Sequence, residues 1–258
     1  MRFVKGHGTE NDFVLLPEPA EELSEDLVRR LCDRRAGIGG DGVLAVRRDP
    51  DGTFFMDYRN ADGSVAETCG NGIRVFARYL VSSGLAAAGA FDVRTRAGMV
   101  RVDVPGDGGD ITVAMGVPSR IADAKVTVGA STWSGFGYDI GNPHLVVLDA
   151  GDLAALDLSV APVVDPAPSE GINVEFVETV GPAHVRMRVH ERGSGETRSC
   201  GSGACMAAVA AMEAAGERAT YVVDVPGGRL GVAWRDDDVV TLSGPAILVA
   251  SGDVELQP

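Results

Sequence analysis

Two cysteines of this chain occur in matching local sequences. Cys69 begins the run Cys-Gly-Asn-Gly and Cys200 begins the run Cys-Gly-Ser-Gly, 131 residues apart in a chain of 258. Apolar residues follow each run at the i, i+3, i+4, i+7 spacing of one helix face. After the first run they are Ile73, Phe76, Ala77 and Leu80, and after the second they are Ala204, Ala207, Ala208, Ala211 and Ala215. The pattern predicts a thiol at each helix N-terminus, where unpaired N–H groups and the helix dipole favour a thiolate. Because glycine has no side chain, the same N–H groups can also hold a carboxylate.

Two such thiols, one in each half of the chain, are suited to inverting a carbon stereocentre. One cysteine, as a thiolate, would remove a proton from the carbon, and the other, as a thiol, would donate a proton to the opposite face. An amino-acid Cα–H is far less acidic than a thiol. N–H groups at the two helix starts would therefore be needed to stabilise the charge that develops on the substrate carboxylate. The sequence thus favours a two-base racemase or epimerase.

Other uses of the cysteines fit the sequence less well. A redox pair would normally have C-x-x-C spacing, which none of the four cysteines shows. Cys200 and Cys205 lack zinc-ligand spacing, and the chain has only four histidines, so we predict no metal site. We assign Cys32 and Cys205 to helix packing. A single Cys before Gly-x-Gly is usually a packed loop residue, but two in matched contexts make that reading much weaker.

The composition limits the partners. A net charge of −14 leaves no basic surface for nucleic acid, and no apolar run approaches the length of a membrane-spanning helix. We therefore expect a small-molecule substrate, no nucleic-acid or membrane partner, and a cytoplasmic location.

Helices and strands predicted around the cysteines define the fold. The two cysteine helices should end at Gly84 and Gly216, and a further helix should begin after Ser24 and end at Gly37. We predict an α+β protein with two pseudo-symmetric β-rich domains, each wrapped around a central helix, and an active site in the cleft between them. The domains should span 1–117 and 118–245, and the tail 246–258 should pack back onto the first. The predicted strands are 2–5, 13–16, 43–47, 53–59, 90–95, 99–104, 110–114, 125–128, 133–140, 145–148, 173–178, 184–191, 221–225, 229–234 and 239–242.

Several stretches together resemble one known family over nearly the whole chain. They are 7–13, 37–43, 58–74, 141–144, 171–176 and 191–204, and the two cysteine runs are the most specific. The chain resembles diaminopimelate epimerases. This resemblance implies cofactor-independent interconversion of LL- and meso-diaminopimelate in lysine and peptidoglycan precursor biosynthesis. It also implies Cys69 and Cys200 as the acid–base pair, and a homodimer.

The resemblance also implies which residues bind the substrate. Those that would hold its distal carboxylate and amine are Asn11, Asn60, Asn142, Asn173 and Arg192. Glu191 would contact the reacting amino group, and Glu191 and His144 would tune a cysteine pKa. The backbones of Gly70, Asn71, Gly201 and Ser202 would hold the α-carboxylate. The chain departs from the family pattern at Glu10, where glycine is usual, and at Gly42, where many members have glutamine.

Two other functions remain open on the sequence alone. A proline or hydroxyproline racemase shares the two-cysteine scheme, but that family commonly has His where Asn71 stands here, and its substrate has no second amino-acid head. A non-catalytic binding protein of the same fold is the other alternative, although it would have no need for both cysteines at helix starts.

Overall fold

The structure is a computed structural model that describes residues 1–19, 23–67 and 69–255. The chain divides into two compact units. Unit 1 contains Met1–Val113 and the chain from Gly244 onward, and unit 2 contains Ala114–Ser243. These divisions fall a few residues before the positions expected from the sequence. Among the described residues, no helix is both long and apolar enough to cross a membrane.

Short strands dominate both units, and most α-helical residues lie in two longer helices. Up to residue 116 the elements are β1 Arg2–Gly8, β2 Asn11–Leu16, α1 Glu25–Cys32, β3 Gly42–Arg48, β4 Phe54–Asn60, α2 Gly70–Ser82, β5 Gly89–Thr95, β6 Gly98–Val104 and β7 Ile111–Gly116. Next come β8 Ser119–Arg120, β9 Ala124–Val128, β10 Ser131–Asp139, β11 Pro143–Val147, a 3₁₀ turn Leu153–Ala155, β12 Val163–Asp165, β13 Asn173–Gly181 and β14 His184–Glu191. The last are β15 Gly195–Thr197, α3 Gly201–Ala215, β16 Thr220–Val225, β17 Gly228–Trp234, β18 Val240–Gly244 and β19 Ile247–Asp253.

The two units repeat one strand pattern. In unit 1, β1 pairs antiparallel with β2, β2 parallel with β3, β3 antiparallel with β4, β4 parallel with β5, and β5 antiparallel with β6. In unit 2 the same sequence of pairings joins β10, β11, β13, β14, β16 and β17. Helix α2 leads from β4 to β5, and α3 leads from β15 to β16. The prediction of an α+β protein with two pseudo-symmetric halves is confirmed.

The C-terminal segment belongs to unit 1. Strand β19 pairs antiparallel with β1, with Arg2 opposite Asp253 and His7 opposite Ile247. It thereby covers an edge of the sheet that would otherwise present unpaired backbone groups.

Helices α2 and α3 begin and end in the same way. Each has a cysteine as its N-cap and a left-handed glycine after its last turn, Gly84 with φ +73° and Gly216 with φ +70°. At the C-terminal end of each helix, two N–H groups donate to carbonyl oxygens of the last turn. In α2 the bonds run from Gly84 to Val81 and from Leu85 to Leu80, and in α3 from Gly216 to Glu213 and from Glu217 to Met212. This is the Schellman arrangement, which glycine permits because it lacks a Cβ. Both predicted helix ends are confirmed.

The helix predicted to run from Ser24 to Gly37 is shorter than expected. Ser24 is its N-cap as predicted, but α1 ends at Cys32. The side chain of Asp33 accepts the N–H groups of Arg35 and Ala36, each at 2.7 Å. A short carboxylate that bonds to nearby backbone in this way competes with the helical pattern and ends the helix.

The two central helices meet their cores differently. In α2 the predicted face of Ile73, Phe76, Ala77 and Leu80 is buried. In α3, burial extends around most of the helix over Gly201–Ala210, whereas Ala215, predicted to face the core, is exposed. The many alanines let neighbouring strands approach α3 closely, as expected for a helix that is apolar on all sides.

Candidate active site

Both cysteine side chains accept a hydrogen bond from the first turn of their own helix. The N–H of Gly72 points to Cys69 Sγ and the N–H of Gly203 points to Cys200 Sγ, each at 3.4 Å. All four cysteines of the chain are thiols rather than disulfides. A sulfur that caps a helix N-terminus lies in the positive part of the helix field, which stabilises its anionic form.

Asparagine amides surround Cys69. Asn11 Oδ1 lies 3.7 Å from Cys69 Sγ and accepts the side-chain N–H of Asn71 at 3.2 Å. The other end of the Asn11 amide donates to Asp41 at 2.8 Å, which fixes its oxygen toward the cysteine. The structure therefore brings together three predicted site residues of unit 1. Asn60, at the end of β4, donates instead to Ser64 Oγ at 3.0 Å.

Arg74 supports this helix start and was not among the predicted site residues. Its side chain is fully buried. One guanidinium nitrogen donates to Asn71 Oδ1 at 2.9 Å and to Thr9 Oγ1 at 3.3 Å, and another donates to the carbonyl of Gly70 at 3.4 Å. Arg74 thus joins the first turn of α2 to the β1–β2 turn. A charged residue inside the otherwise apolar run 73–77 was the available signal.

Carboxyl groups surround Cys200. Burial raises the pKa of the Cys200 thiol well above its usual value, and the charges of Glu191 and Glu175 raise it further. Ser202 Oγ lies 3.6 Å from the sulfur. Burial also raises the pKa of Glu191, although hydrogen bonds from Thr197 and Cys200 partly oppose the effect. Burial and the neighbouring carboxyl groups therefore favour the thiol form of Cys200.

The remaining predicted residues of unit 2 form two further contacts. His144 is fully buried, with Nδ1 2.7 Å from Glu175 Oε1 and Nε2 3.1 Å from Asn142 Oδ1. Asn173 Oδ1 accepts the backbone N–H of Arg192 at 2.9 Å. The Arg192 side chain is exposed and donates to the carbonyl of Glu170 at 3.2 Å.

Glu175 is a second residue that the sequence analysis missed. It lies in the middle of the buried segment of β13, is fully buried, and has Oε2 without a hydrogen-bond partner among the described residues. A carboxylate within the apolar run 174–177 was the signal that could have identified it.

The two departures from the family pattern have different surroundings. Glu10 has φ +62°, a left-handed conformation in which glycine carries no steric cost. A Cβ on Gly42 would lie 2.5 Å from the carbonyl oxygen of Arg59, so a larger residue does not fit this backbone. Among the described residues, no group of three or more His, Cys, Asp and Glu side chains is placed to hold a metal ion.

Solved structures of other proteins share the two-unit fold of this chain. A probable proline racemase from Agrobacterium radiobacter K84 has TM-score 0.73 at 17% identity, over 100% of this chain and 93% of that one. A PhzF-family phenazine biosynthesis protein from Bacillus anthracis has TM-score 0.74 at 16% identity, over 99% of both chains. At these identities the likeness shows a shared fold and nothing further.

Sequence relatives narrow the class to a family. The family model for diaminopimelate epimerase matches residues 3–121 and 136–249. A diaminopimelate epimerase from Streptomyces coelicolor is 49% identical, over 98% of this chain and 95% of the relative. One from Thermobifida fusca is 48% identical, over 99% of this chain and 98% of the relative. The chain belongs to the diaminopimelate epimerase family.

Proposed function

We propose that this protein is an isomerase that interconverts LL- and meso-diaminopimelate without a cofactor, with Cys69 and Cys200 as its two acid–base groups. The observation that carries the proposal is the pair of matched helix starts, each capped by a cysteine, in a chain 49% identical to a diaminopimelate epimerase. The reaction supplies a precursor for lysine and peptidoglycan synthesis.

The chemistry follows from the surroundings of each thiol. The scheme requires the two sulfurs to address opposite faces of one substrate carbon, so that one removes the α-proton and the other returns a proton. The backbone N–H groups of Gly70, Asn71, Gly201 and Ser202 would bind the α-carboxylate. They would also stabilise the charge that develops on it as the proton leaves. Hydrogen bonds of this kind are strongest where water is excluded.

Recognition of the substrate is assigned to side chains of both units. Glu191 would accept the reacting ammonium group, because a buried carboxylate is the natural partner of a buried cation. The second amino-acid head would bind to the amides of Asn11, Asn60, Asn142 and Asn173 and to the guanidinium of Arg192. Arginine suits a carboxylate because its planar group donates two parallel hydrogen bonds.

The first experiment tests the reaction and the two cysteines together. Purified protein is incubated in D₂O with LL-diaminopimelate and, in a separate sample, with L-proline, and both inversion and deuterium incorporation are followed. We expect inversion of diaminopimelate only. Cys69→Ala and Cys200→Ala should each abolish inversion, and Ser at either position should reduce it severely, since a hydroxyl is a much poorer base near neutral pH.

Cys32→Ala is the matched control. Cys32 is buried, and burial raises its pKa to about 11, but it is the last residue of α1 and does not cap a helix N-terminus. This variant should keep wild-type activity. Inversion of proline would favour the racemase alternative, no inversion of either substrate would favour a binding protein, and an active Cys69→Ala or Cys200→Ala enzyme would refute the two-base assignment.

A homodimer and a cytoplasmic location are further parts of the proposal. Light scattering of the purified protein tests the first, since a mass near that of one 26.8 kDa chain would contradict it. Fractionation of cells that produce the protein tests the second.

A further inference from the structure

The buried pair formed by His144 and Glu175 is not explained by the fold. The two units repeat one sheet pattern, and their registers identify equivalent positions. The parallel pair β2–β3 begins with Phe13 opposite Gly42, and the parallel pair β11–β13 includes His144 opposite Asn173. His144 of unit 2 therefore corresponds to Phe13 of unit 1, and Glu175 corresponds to Leu44.

The helix starts support the same correspondence. A Cβ built on Gly72 would meet Leu44 at 3.3 Å and Phe13 at 3.5 Å, whereas a Cβ built on Gly203 would meet the Glu175 carboxyl group at 2.6 Å. Unit 1 fills this space behind the helix with a phenylalanine and a leucine. Unit 2 has an ionisable pair in the same place, although the same fold forms in unit 1 with two apolar side chains there.

An ionisable pair at such a position has a free-energy cost. Both side chains are fully buried, and only one oxygen of Glu175 has a hydrogen-bond partner among the described residues. Taking charged groups out of water commonly costs as much as their mutual attraction returns, so a packed apolar pair is often as stable or more stable. This arrangement is expected where the polar groups serve a purpose other than stability.

The contacts of His144 indicate that purpose. Its Nε2 lies 3.1 Å from Asn142 Oδ1, and an amide oxygen only accepts, so Nε2 must carry a hydrogen. The Glu175 carboxyl group faces the other ring nitrogen, Nδ1, at 2.7 Å, and so holds the ring with Nε2 toward Asn142. With its oxygen held by His144, the Asn142 amide has its NH₂ group left to donate to another partner.

We propose that Glu175 is a positioning residue that acts through His144 to keep the amide nitrogen of Asn142 available to a substrate carboxylate. The inference rests on the proposed function, in which Asn142 binds the distal head of diaminopimelate. Without the hydrogen on Nε2, the amide would turn its nitrogen to the ring and present its oxygen, which attracts an ammonium group instead. The other ionisable groups near this pair are Glu191 on β14 and the Cys200 thiol at the start of α3.

The test exchanges the pair for its counterpart in unit 1. His144→Phe combined with Glu175→Leu should fold with undiminished stability, because this apolar pair already occupies the equivalent positions of unit 1. Its KM for diaminopimelate should rise at least about tenfold, with a smaller change in kcat, as expected when a contact made equally in the ground and transition states is lost. Glu178→Gln on the same strand is the control: Glu178 forms a partly exposed pair with Arg186, so its loss should leave KM unchanged.

A second readout requires no substrate. The chain has four histidines, so ring ¹⁵N resonances can be assigned by single substitutions. In the wild-type protein Nε2 of His144 should carry a hydrogen, and in Glu175→Gln it should not. A folded double variant with unchanged KM, or a His144 ring that is the same in Glu175→Gln and wild type, would overturn the inference. Failure of the wild-type protein to invert diaminopimelate would instead refute the proposed function, since the NMR result does not depend on it.

Discussion

The two cysteine helix starts share a backbone design but differ in the groups around them. Both sulfurs cap their helix and accept an N–H from the third residue after the cysteine. Around Cys69 the polar groups are the amides of Asn11 and Asn71, held in place by Asp41 and by the buried Arg74. Around Cys200 they are carboxyl groups, and burial together with these groups raises the pKa of the thiol.

This difference bears on the protonation of the two thiols. Helix geometry alone stabilises a thiolate at both positions. In unit 2, burial and two nearby carboxyl groups oppose that effect and favour the thiol form of Cys200. The backbone thus places two equivalent sulfurs, and the surrounding side chains give them different protonation behaviour.

The largest effect should come from Arg74, which lies five positions after Cys69; Cys205 occupies the equivalent position after Cys200. Arg74→Leu would leave the carbonyl of Gly70 and the side chains of Asn71 and Thr9 without a donor that they now use. We expect a loss of about 3–5 kcal/mol in the free energy of unfolding, as is usual when one partner of a buried charged network is removed.

Cys205→Ala provides the matched comparison. Cys205 is fully buried beside alanines of α3, and its loss removes a single sulfur, so about 1 kcal/mol is expected. Urea denaturation of both variants measures the difference. Equal losses in the two variants would mean that Arg74 contributes only its volume to the packing of unit 1.

A smaller effect should follow from placing a methyl group on the second glycine of each motif. In Gly203→Ala the new Cβ would lie 2.6 Å from Glu175 Oε1, so the carboxyl group must move and its bond to His144 is lost. Activity should fall about 100-fold, since displacements near 1 Å in a site can have an effect of that size. In Gly72→Ala the nearest atom is Leu44 Cδ2 at 3.3 Å, so a shift of a few tenths of an ångström suffices and the loss should be several-fold at most.

Steady-state kinetics compares the activities of the two alanine variants, and circular dichroism establishes that both are folded. A Gly203→Ala enzyme as active as Gly72→Ala would show that the space behind the two helices is equally tolerant. The position of Glu175 would then be irrelevant to the reaction.

Local features of the fold could be predicted from the sequence, and long-range features could not. The starts of α2 and α3 follow from the residues beside the cysteines, and their ends follow from Gly84 and Gly216. Such signals act over one helical turn. The premature end of α1 depended on which backbone groups Asp33 would bond, and helical periodicity does not encode that choice.

The same distinction between local and long-range features applies to the candidate site. Sequence pattern and resemblance identified residues beside each cysteine: the structure places Asn11 against Cys69, Asn71 against Asn11, and Glu191 beside Cys200. Arg74 and Glu175 were missed because their roles arise from partners far along the chain. Glu175 meets His144 only through the parallel pairing of β11 with β13, a register that no local pattern specifies.

The smallest effect concerns the reactivity of the two thiols toward an alkylating agent. Thiolates react with iodoacetamide and thiols do not, so the pH dependence of labelling reports each pKa. Cys69 is partly exposed and should be labelled first, whereas Cys200 is buried with a raised pKa and should react only at higher pH.

In Glu191→Gln one negative charge beside Cys200 is removed, which favours the thiolate. The labelling midpoint of Cys200 should therefore move to lower pH, by about one unit if a single nearby charge is responsible. Cys69 in the same sample is the internal control, and quantitative peptide mass spectrometry follows both sites. A shift shared by Cys69 and Cys200 would indicate a general change in the protein. An unmoved Cys200 midpoint would show that the charge of Glu191 does not contribute to the raised pKa of this thiol.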